Sequence, residues 1–361
     1  MCGITATLYR KKDNAQHGQR VTLSSEVAQV LAHRGPDAQK NWDDGRCYLG
    51  FRHLALVGDK TSLQPLHNEN NRIHMVCNGE IYNYRELQTG LAKRGHKFVT
   101  QSDCEVIIHL YEEHGGSVAN FLRGQFAFVI WDRAKQRLLA GRDRFGICPL
   151  VYTKTADRII FGSEAKAICN DPSVTVALDL NGVAQTVLLY GPTSPGTCFR
   201  NIFQVPPGTC VLIDVPRWSV KTKPYWSISI HDKDRSQGNV ETKFRSLFAQ
   251  AVKRRIHGNF SPGVYVSGGL DSSVMAAELS SLVGKIDLFS LQFDHPGVDE
   301  SFYQTLLARH IKIPLRPVRI RTADICSNLL GCIWHTESPL TRLAPIPMML
   351  LSSFVRRAGH K

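Results

Sequence analysis

Short apolar runs separated by polar turns dominate the first 215 residues, for example Ile73-His74-Met75-Val76-Cys77 and Phe126-Ala127-Phe128-Val129-Ile130-Trp131. Runs of this length and composition predict strands. Helix-like stretches lie between them, including Ser24 to Leu31 and Cys104 to His114. Strands alternating with helices predict a layered α+β domain. No internal repeat is visible.

The pattern then changes. From Pro216 to Asn239 the chain is rich in Ser, Lys, Asp and Gly and has weak periodicity, which reads as a linker. A second domain, 240–361, opens with a basic helical pattern to about His257. A buried strand Val264-Tyr265-Val266, a Gly-rich turn, a helix to about Leu282, a strand Leu288–Phe293 and a helix from about Glu300 follow. That βαβα order predicts a parallel sheet with helices on its faces.

At 361 residues the chain can hold two cores, and its 43% hydrophobic and 21% charged content is that of a globular protein. No apolar run approaches the roughly 20 residues of a membrane span, and Met1 is not followed by a basic segment and an apolar h-region. We therefore expect a cytoplasmic protein with no membrane association. The ten cysteines include no C-x-x-C pair and read as reduced thiols. The +13 charge is spread out, with only short clusters such as Lys253-Arg254-Arg255. No aromatic-and-basic module accompanies it, so no nucleic-acid partner is expected and the charge reads as a solvated basic surface.

Cys2 is the first chemical candidate. Removing Met1 would give it a free α-amine beside its sulfur, so that one residue supplies both nucleophile and base. By itself an N-terminal Cys is more often a small residue starting a strand. Its companions change that reading. Asn78-Gly79-Glu80 follows an apolar strand and offers an amide and an exposed N–H, the donors an oxyanion needs. Asp103 sits at the head of a helix, where its bland role is an N-cap. In the other half, Val266-Ser267-Gly268-Gly269-Leu270-Asp271-Ser272-Ser273 joins a strand to a helix and suits close approach to phosphate, without the spacing of a Walker loop.

These residues resemble the class II glutamine amidotransferases, most closely the glutamine-hydrolysing asparagine synthetase family. The matching segments include Met1–Ile4, His33–Asp37, Gln64–Leu66, Asn78–Asn83, Ser102–Ile107, Leu122–Phe128, Arg142–Ile147 and Ser163–Ala167. The resemblance implies a four-layer α+β Ntn-hydrolase glutaminase domain over 1–215. An incomplete α/β parallel-sheet domain of the adenine-nucleotide hydrolase type would follow. It implies that Cys2 attacks the glutamine amide, with Asn78 and the Gly79 N–H as oxyanion hole, Asp103 on the glutamine α-amine and Glu80 in the same pocket. The Ser267-to-Ser273 string is similar to the pyrophosphate loop of ATP pyrophosphatases. By that similarity Ser267, Gly268, Gly269, Ser272 and Ser273 would hold the triphosphate, Val266 and Leu291 would contact adenosine, Asp271 would place Mg²⁺, and Glu337 would help form an aspartyl adenylate. Glutamine, aspartate and ATP are the implied substrates, and a homodimer the implied assembly.

Two departures stand out. In Phe51-Arg52-His53-Leu54-Ala55-Leu56, His53 takes the place of the family's carboxylate-clamping Arg, and a ring cannot make guanidinium's bidentate fork. Arg52 should point to the other strand face. The family also continues beyond the point where this sequence stops, through a Ser-Gly-Glu-Gly-x-Asp-Glu motif. We therefore expect a truncated synthetase domain whose last helix, about Met348 to Arg357, exposes an apolar face, and in which synthesis is doubtful. A glutaminase alone, an amidotransferase for another carboxylate and a non-catalytic regulatory binding protein are the alternatives.

Overall fold

The computed structural model describes residues 1–12, 17–55, 62–229, 239–256, 261–295 and 297–360. Leu56 and His257 lie outside them. The chain divides into two units, Met1–Ile230 and His231–Lys361.

In the first unit the order is β1 (Gly3–Tyr9), α1 (His17–Gln29), β2 (Ala38–Asp43), β3 (Cys47–His53), β4 (Leu66–His67), β5 (Ile73–Ile81), α2 (Tyr84–Lys93) and α3 (Val106–His114). There follow β6 (Gly124–Asp132), β7 (Arg137–Arg142), β8 (Val151–Lys154), β9 (Arg158–Gly162), α4 (Ala165–Cys169), α5 (Leu180–Leu189), β10 (Phe203–Gln204), β11 (Thr209–Asp214) and β12 (Ser219–Pro224). The strands form two six-stranded sheets, ordered β10-β8-β9-β1-β3-β2 and β12-β11-β7-β6-β5-β4. Pairing within both is antiparallel.

The apolar runs are continuous because both faces of the second sheet are covered. Along β6, Ala127, Val129 and Trp131 join Ile4, Leu8, Leu49 and Phe51 of the first sheet in one core. The alternate residues Phe126, Phe128 and Ile130 pack with Leu91, Ile107 and Leu110 of α2 and α3 in another. A period of two along one strand thus feeds two cores. On the outer side of the first sheet, Val27 and Leu31, within and just after α1, meet Ala167 of α4. The layering is helix, sheet, sheet, helix, the four-layer arrangement expected.

The segment expected to be a linker from Pro216 begins with structure. Strand β12, Ser219–Pro224, pairs along its whole length with β11. Its exposed Lys221 and Lys223 mark an edge strand, whose composition looks like a connection because one side faces solvent.

The second unit contains α6 (Val240–Arg255), β13 (Gly263–Tyr265), α7 (Leu270–Leu282), β14 (Asp287–Phe293), α8 (Ser301–Ile311), β15 (Leu315–Ile320), α9 (Thr322–Thr336) and α10 (Pro345–Arg357). Its sheet is parallel, ordered β13-β14-β15. Helix α10 corrects one expectation. Its face is not left bare, because Leu351 and Val355 pack against the fully buried Phe289 of β14, with Leu291 and Val318 around them. The sheet offers that helix an apolar seat, while Met348 near its start stays exposed. Among the described residues no helix is long and apolar enough to cross a membrane.

Candidate active site

Cys2 precedes the first residue of β1, in the middle of the first sheet. Arg34 Nε donates to the Cys2 carbonyl at 3.0 Å, and Leu54 N–H donates to Cys2 Sγ at 3.4 Å. Arg34 is itself held by Glu164 at 2.7 Å. Glu164 also receives His33 at 2.9 Å and Lys166 at 2.6 Å. Burial would raise its carboxyl, but His33, Lys166 and Arg34 together hold it well below the usual carboxylate range. This buried cluster fixes the backbone that presents the sulfur. Burial pushes the Cys2 thiol up, and the Leu54 N–H offsets that only in part. A thiol raised in this way rests protonated near neutral pH, and would need a base to act as a nucleophile.

The second sheet supplies the facing wall. Strand β5 carries Asn78, Gly79 and Glu80, paired with Ala127, Phe126 and Gln125 of β6. Gly79 has φ 151°, and a Cβ there would lie 2.1 Å from the Gln125 carbonyl oxygen. No other residue fits. Upstream, Gln64 locks the strand by accepting from Cys77 N–H at 2.5 Å and donating to Cys77 O at 3.0 Å.

Asn78 is fully buried, yet neither its side-chain nitrogen nor its oxygen has a hydrogen-bond partner among the described residues. Such a group costs about 1–3 kcal/mol to bury, so it calls for an explanation. Both atoms belong to a residue lining a cavity of about 80 Å³, together with Met1, Cys2, His53, Gly79, Glu80 and Asp103. Ser62, whose hydroxyl is likewise buried and unpartnered, lines it too.

Asp103 opens a short 3-10 turn, Asp103–Glu105, whose N-cap is Ser102, donated to by Cys104 N–H at 3.3 Å. The capping role that sequence assigns to Asp103 thus belongs to its neighbour. Asp103 instead accepts from Ile81 N–H at 2.6 Å. Burial pushes its carboxyl up to about 6, with the Ile81 N–H pulling down and Glu80 adding to the rise. His53 lines the cavity from the end of β3, while Arg52 turns the other way and donates to Ala28 O at 3.3 Å and to Gln29 of α1. The strand has not slipped to bring guanidinium into the cavity.

In the second unit the turn after β13 is tied by its own hydroxyls. Ser267 and Ser272 Oγ lie 3.0 Å apart, and Ser273 Oγ donates to Gly269 O at 2.8 Å. Gly268 has φ 92°, which lets the chain double back toward α7. Asp271 stands exposed in the first turn of α7. Gln304 of α8 donates to Leu291 O at 3.0 Å and to Ser267 O at 3.4 Å, joining this turn to β14. Val266 is buried in the core with Val264 and Leu288, so its side chain is spent on packing. Glu337 ends α9 in a left-handed conformation, its backbone N–H donating to Ile333 O at 2.9 Å.

Arg34, Glu164, Gln64 and Ser62 were not assigned roles by sequence. The pairing of Arg34 with Glu164 spans 130 residues, and only the sheet brings them together.

A half-buried cysteine at a strand start, opposite an amide unpartnered among the described residues and within a four-layer α+β unit, defines an Ntn-type amidotransferase architecture. Residues 1–226 match the glutamine amidotransferase domain family, and residues 243–361 match asparagine synthase. The chain belongs to the glutamine amidotransferase family and carries an asparagine-synthase segment. It is 31% identical to "Amidase chyE" of Penicillium rubens, with 100% of this chain and 57% of the relative aligned. The corresponding values are 30%, 100% and 57% for "Amidase chry2" of Gibberella zeae. For asparagine synthetase [glutamine-hydrolyzing] 1 of Bacillus subtilis they are 28%, 99% and 56%. The chain thus spans a little over half the length of these relatives.

Proposed function

We propose that the first unit hydrolyses glutamine through Cys2. The observation that carries the reading is the unpartnered Asn78 amide in the same cavity as the Cys2 sulfur. Met1 lines that cavity, so its removal both enlarges the space and frees the Cys2 amine. The amine then takes the thiol proton as sulfur bonds to the side-chain amide carbon. Negative charge on the amide oxygen is met by the Asn78 side-chain N–H and the Gly79 N–H, both fixed before the reaction begins. Collapse breaks the C–N bond, the amine's proton goes to the leaving nitrogen, and water cleaves the thioester to give glutamate. Asp103 receives the glutamine ammonium, Glu80 lines the pocket, and His53 stands where the substrate carboxylate would end.

In the second unit the Ser267–Ser273 turn is suited to ATP. Helix N-terminal N–H groups and Ser hydroxyls meet phosphate oxygens, and the exposed carboxylate of Asp271 suits Mg²⁺, which binds through one or two carboxylates plus phosphate. Mg²⁺ would neutralise phosphate charge as aspartate displaces pyrophosphate. Ammonia would then displace AMP from the aspartyl adenylate. Glu337 is the acid we assign to the adenylation step. A second reading keeps the glutaminase and changes the carboxylate that is amidated.

The test is ammonia release from glutamine by the Met1-processed chain and by Cys2→Ala. Release by the parent alone supports the assignment, and equal release would remove it in favour of a non-catalytic binding protein. Glutamine-dependent AMP formation with aspartate, and not with other acids, separates the two readings of the acceptor.

A further inference from the structure

A second constellation, independent of the chemistry at Cys2, lies on the outer helical layer of the first unit. Glu69 comes from the turn before β5, His96 from the chain leaving α2, and His109 and Glu112 from one face of α3, three residues apart. The Nδ1 of His109 is 3.1 Å from Glu112 Oε2 and 3.6 Å from Glu69 Oε1. The Nδ1 of His96 is 3.5 Å and 3.8 Å from the same two oxygens. Two imidazole nitrogens and two carboxylate oxygens therefore face a common centre, all within 4.8 Å of one another. A tetrahedral ion with bonds of about 2.0–2.1 Å needs ligand atoms roughly 3.3 Å apart, so small side-chain rotations suffice.

The surroundings show the same purpose. The remote nitrogen of His96 meets Glu113 Oε1 at 3.2 Å, and that of His109 faces Glu105 Oε1 at 3.8 Å. Asn68 Nδ2 donates to Glu112 Oε1 at 2.7 Å, leaving Oε2 for the centre. Lys97 N–H donates to Glu69 Oε1 at 2.9 Å. Carboxylates behind the histidines and donors behind the carboxylates are what orient metal ligands. Of the four ring nitrogens, only His109 Nδ1, at 3.1 Å from Glu112, and His96 Nε2, at 3.2 Å from Glu113, stand within hydrogen-bond distance of a carboxylate. His96 Nδ1 faces the centre at 3.5 and 3.8 Å from its carboxylates, a spacing that a bridging ion fills. A divalent ion there would balance the two carboxylates. A groove lined by Gln88, Thr89, Ala92, Lys93, His96 and Phe98 reaches His96 from solvent.

We propose that Glu69, His96, His109 and Glu112 form a structural site for a divalent transition metal of the zinc class, clamping α3 to the two loops beside it. Half-nitrogen ligation argues against Mg²⁺ or Ca²⁺, which take oxygen.

The test uses the full chain, stripped with a chelator and titrated with Zn²⁺ against a competing indicator, with zinc-edge X-ray absorption on the loaded protein. The expected result is one equivalent bound, only N/O neighbours at about 2.0–2.1 Å, and a higher melting temperature. His96→Ala should weaken binding at least tenfold. Glu113→Gln, on the surface behind His96, should weaken it about tenfold without touching the ion. No stoichiometric binding, sulfur neighbours at about 2.3 Å that point to the free cysteines, or unchanged affinity in both variants would overturn the proposal.

Discussion

Asn78→Ala separates function from stability more sharply than any other change in the first unit. Both polar atoms of the amide are buried and unpartnered among the described residues, so the folded state carries a desolvation cost of about 1–3 kcal/mol for the unmet amide. Truncation removes that cost and gives back about 1 kcal/mol of lost packing around a small void. The balance is stability unchanged or raised by about 2 kcal/mol, which in a domain of this size is a rise in melting temperature of about 2–4 °C for each kcal/mol. Catalysis should move the other way. Losing one fixed oxyanion donor costs roughly 2.7–4 kcal/mol, or about 10²–10³ in kcat. Thermal unfolding and steady-state ammonia release on the same preparation measure both. Gln64→Ala is the control, because Gln64 satisfies the Cys77 backbone from inside the same wall and its loss should lower stability. A variant that melts well below the parent, or retains nearly all its activity, would refute the reasoning, since the amide would then be a structural group with partners.

Two further outcomes follow from the same cavity. His53→Arg should lower KM for glutamine, by about 1–3 kcal/mol in binding for a regained charged hydrogen bond, because His53 lines the cavity and Arg52 is engaged with α1; unchanged KM would show that the substrate carboxylate lies elsewhere. Asp103, raised to about 6 from an ordinary value of 3.8, binds its proton more tightly in the folded state. Its contribution to stability is thus full below about pH 4 and is lost as pH rises through 6. Asp103→Asn should flatten that part of the stability profile and raise stability at pH 7. The same variant should lose the rise in glutamine KM that the parent shows as pH falls below 6, which is followed by KM against pH.

The strands, the two units and the candidate residues for chemistry were legible in the chain because each rests on a local rule. Apolar runs of strand length, a glycine after Asn78, and a Ser-Gly-Gly turn between strand and helix need no knowledge of distant residues. The edge strand Ser219–Pro224 was missed for the converse reason, since exposed lysines look alike in an edge and in a linker. Helix α10 was misjudged because its seat on Phe289 is set by the packing of the sheet and not by the helix itself.

What the chain determined alone was the kind of group at each position: a thiol behind the first methionine, an amide after a strand, a histidine where an arginine was expected. Tertiary structure decided which of them meet. Two sheets packed face to face bring Cys2 and Asn78 into one cavity. Antiparallel pairing turns Arg52 away from it, and side chains far apart in the chain converge as Glu164 with Arg34 and as Glu69 with His96 and His109. Interaction energies fall with distance in space, and separation along the chain says nothing about that distance until the fold has closed.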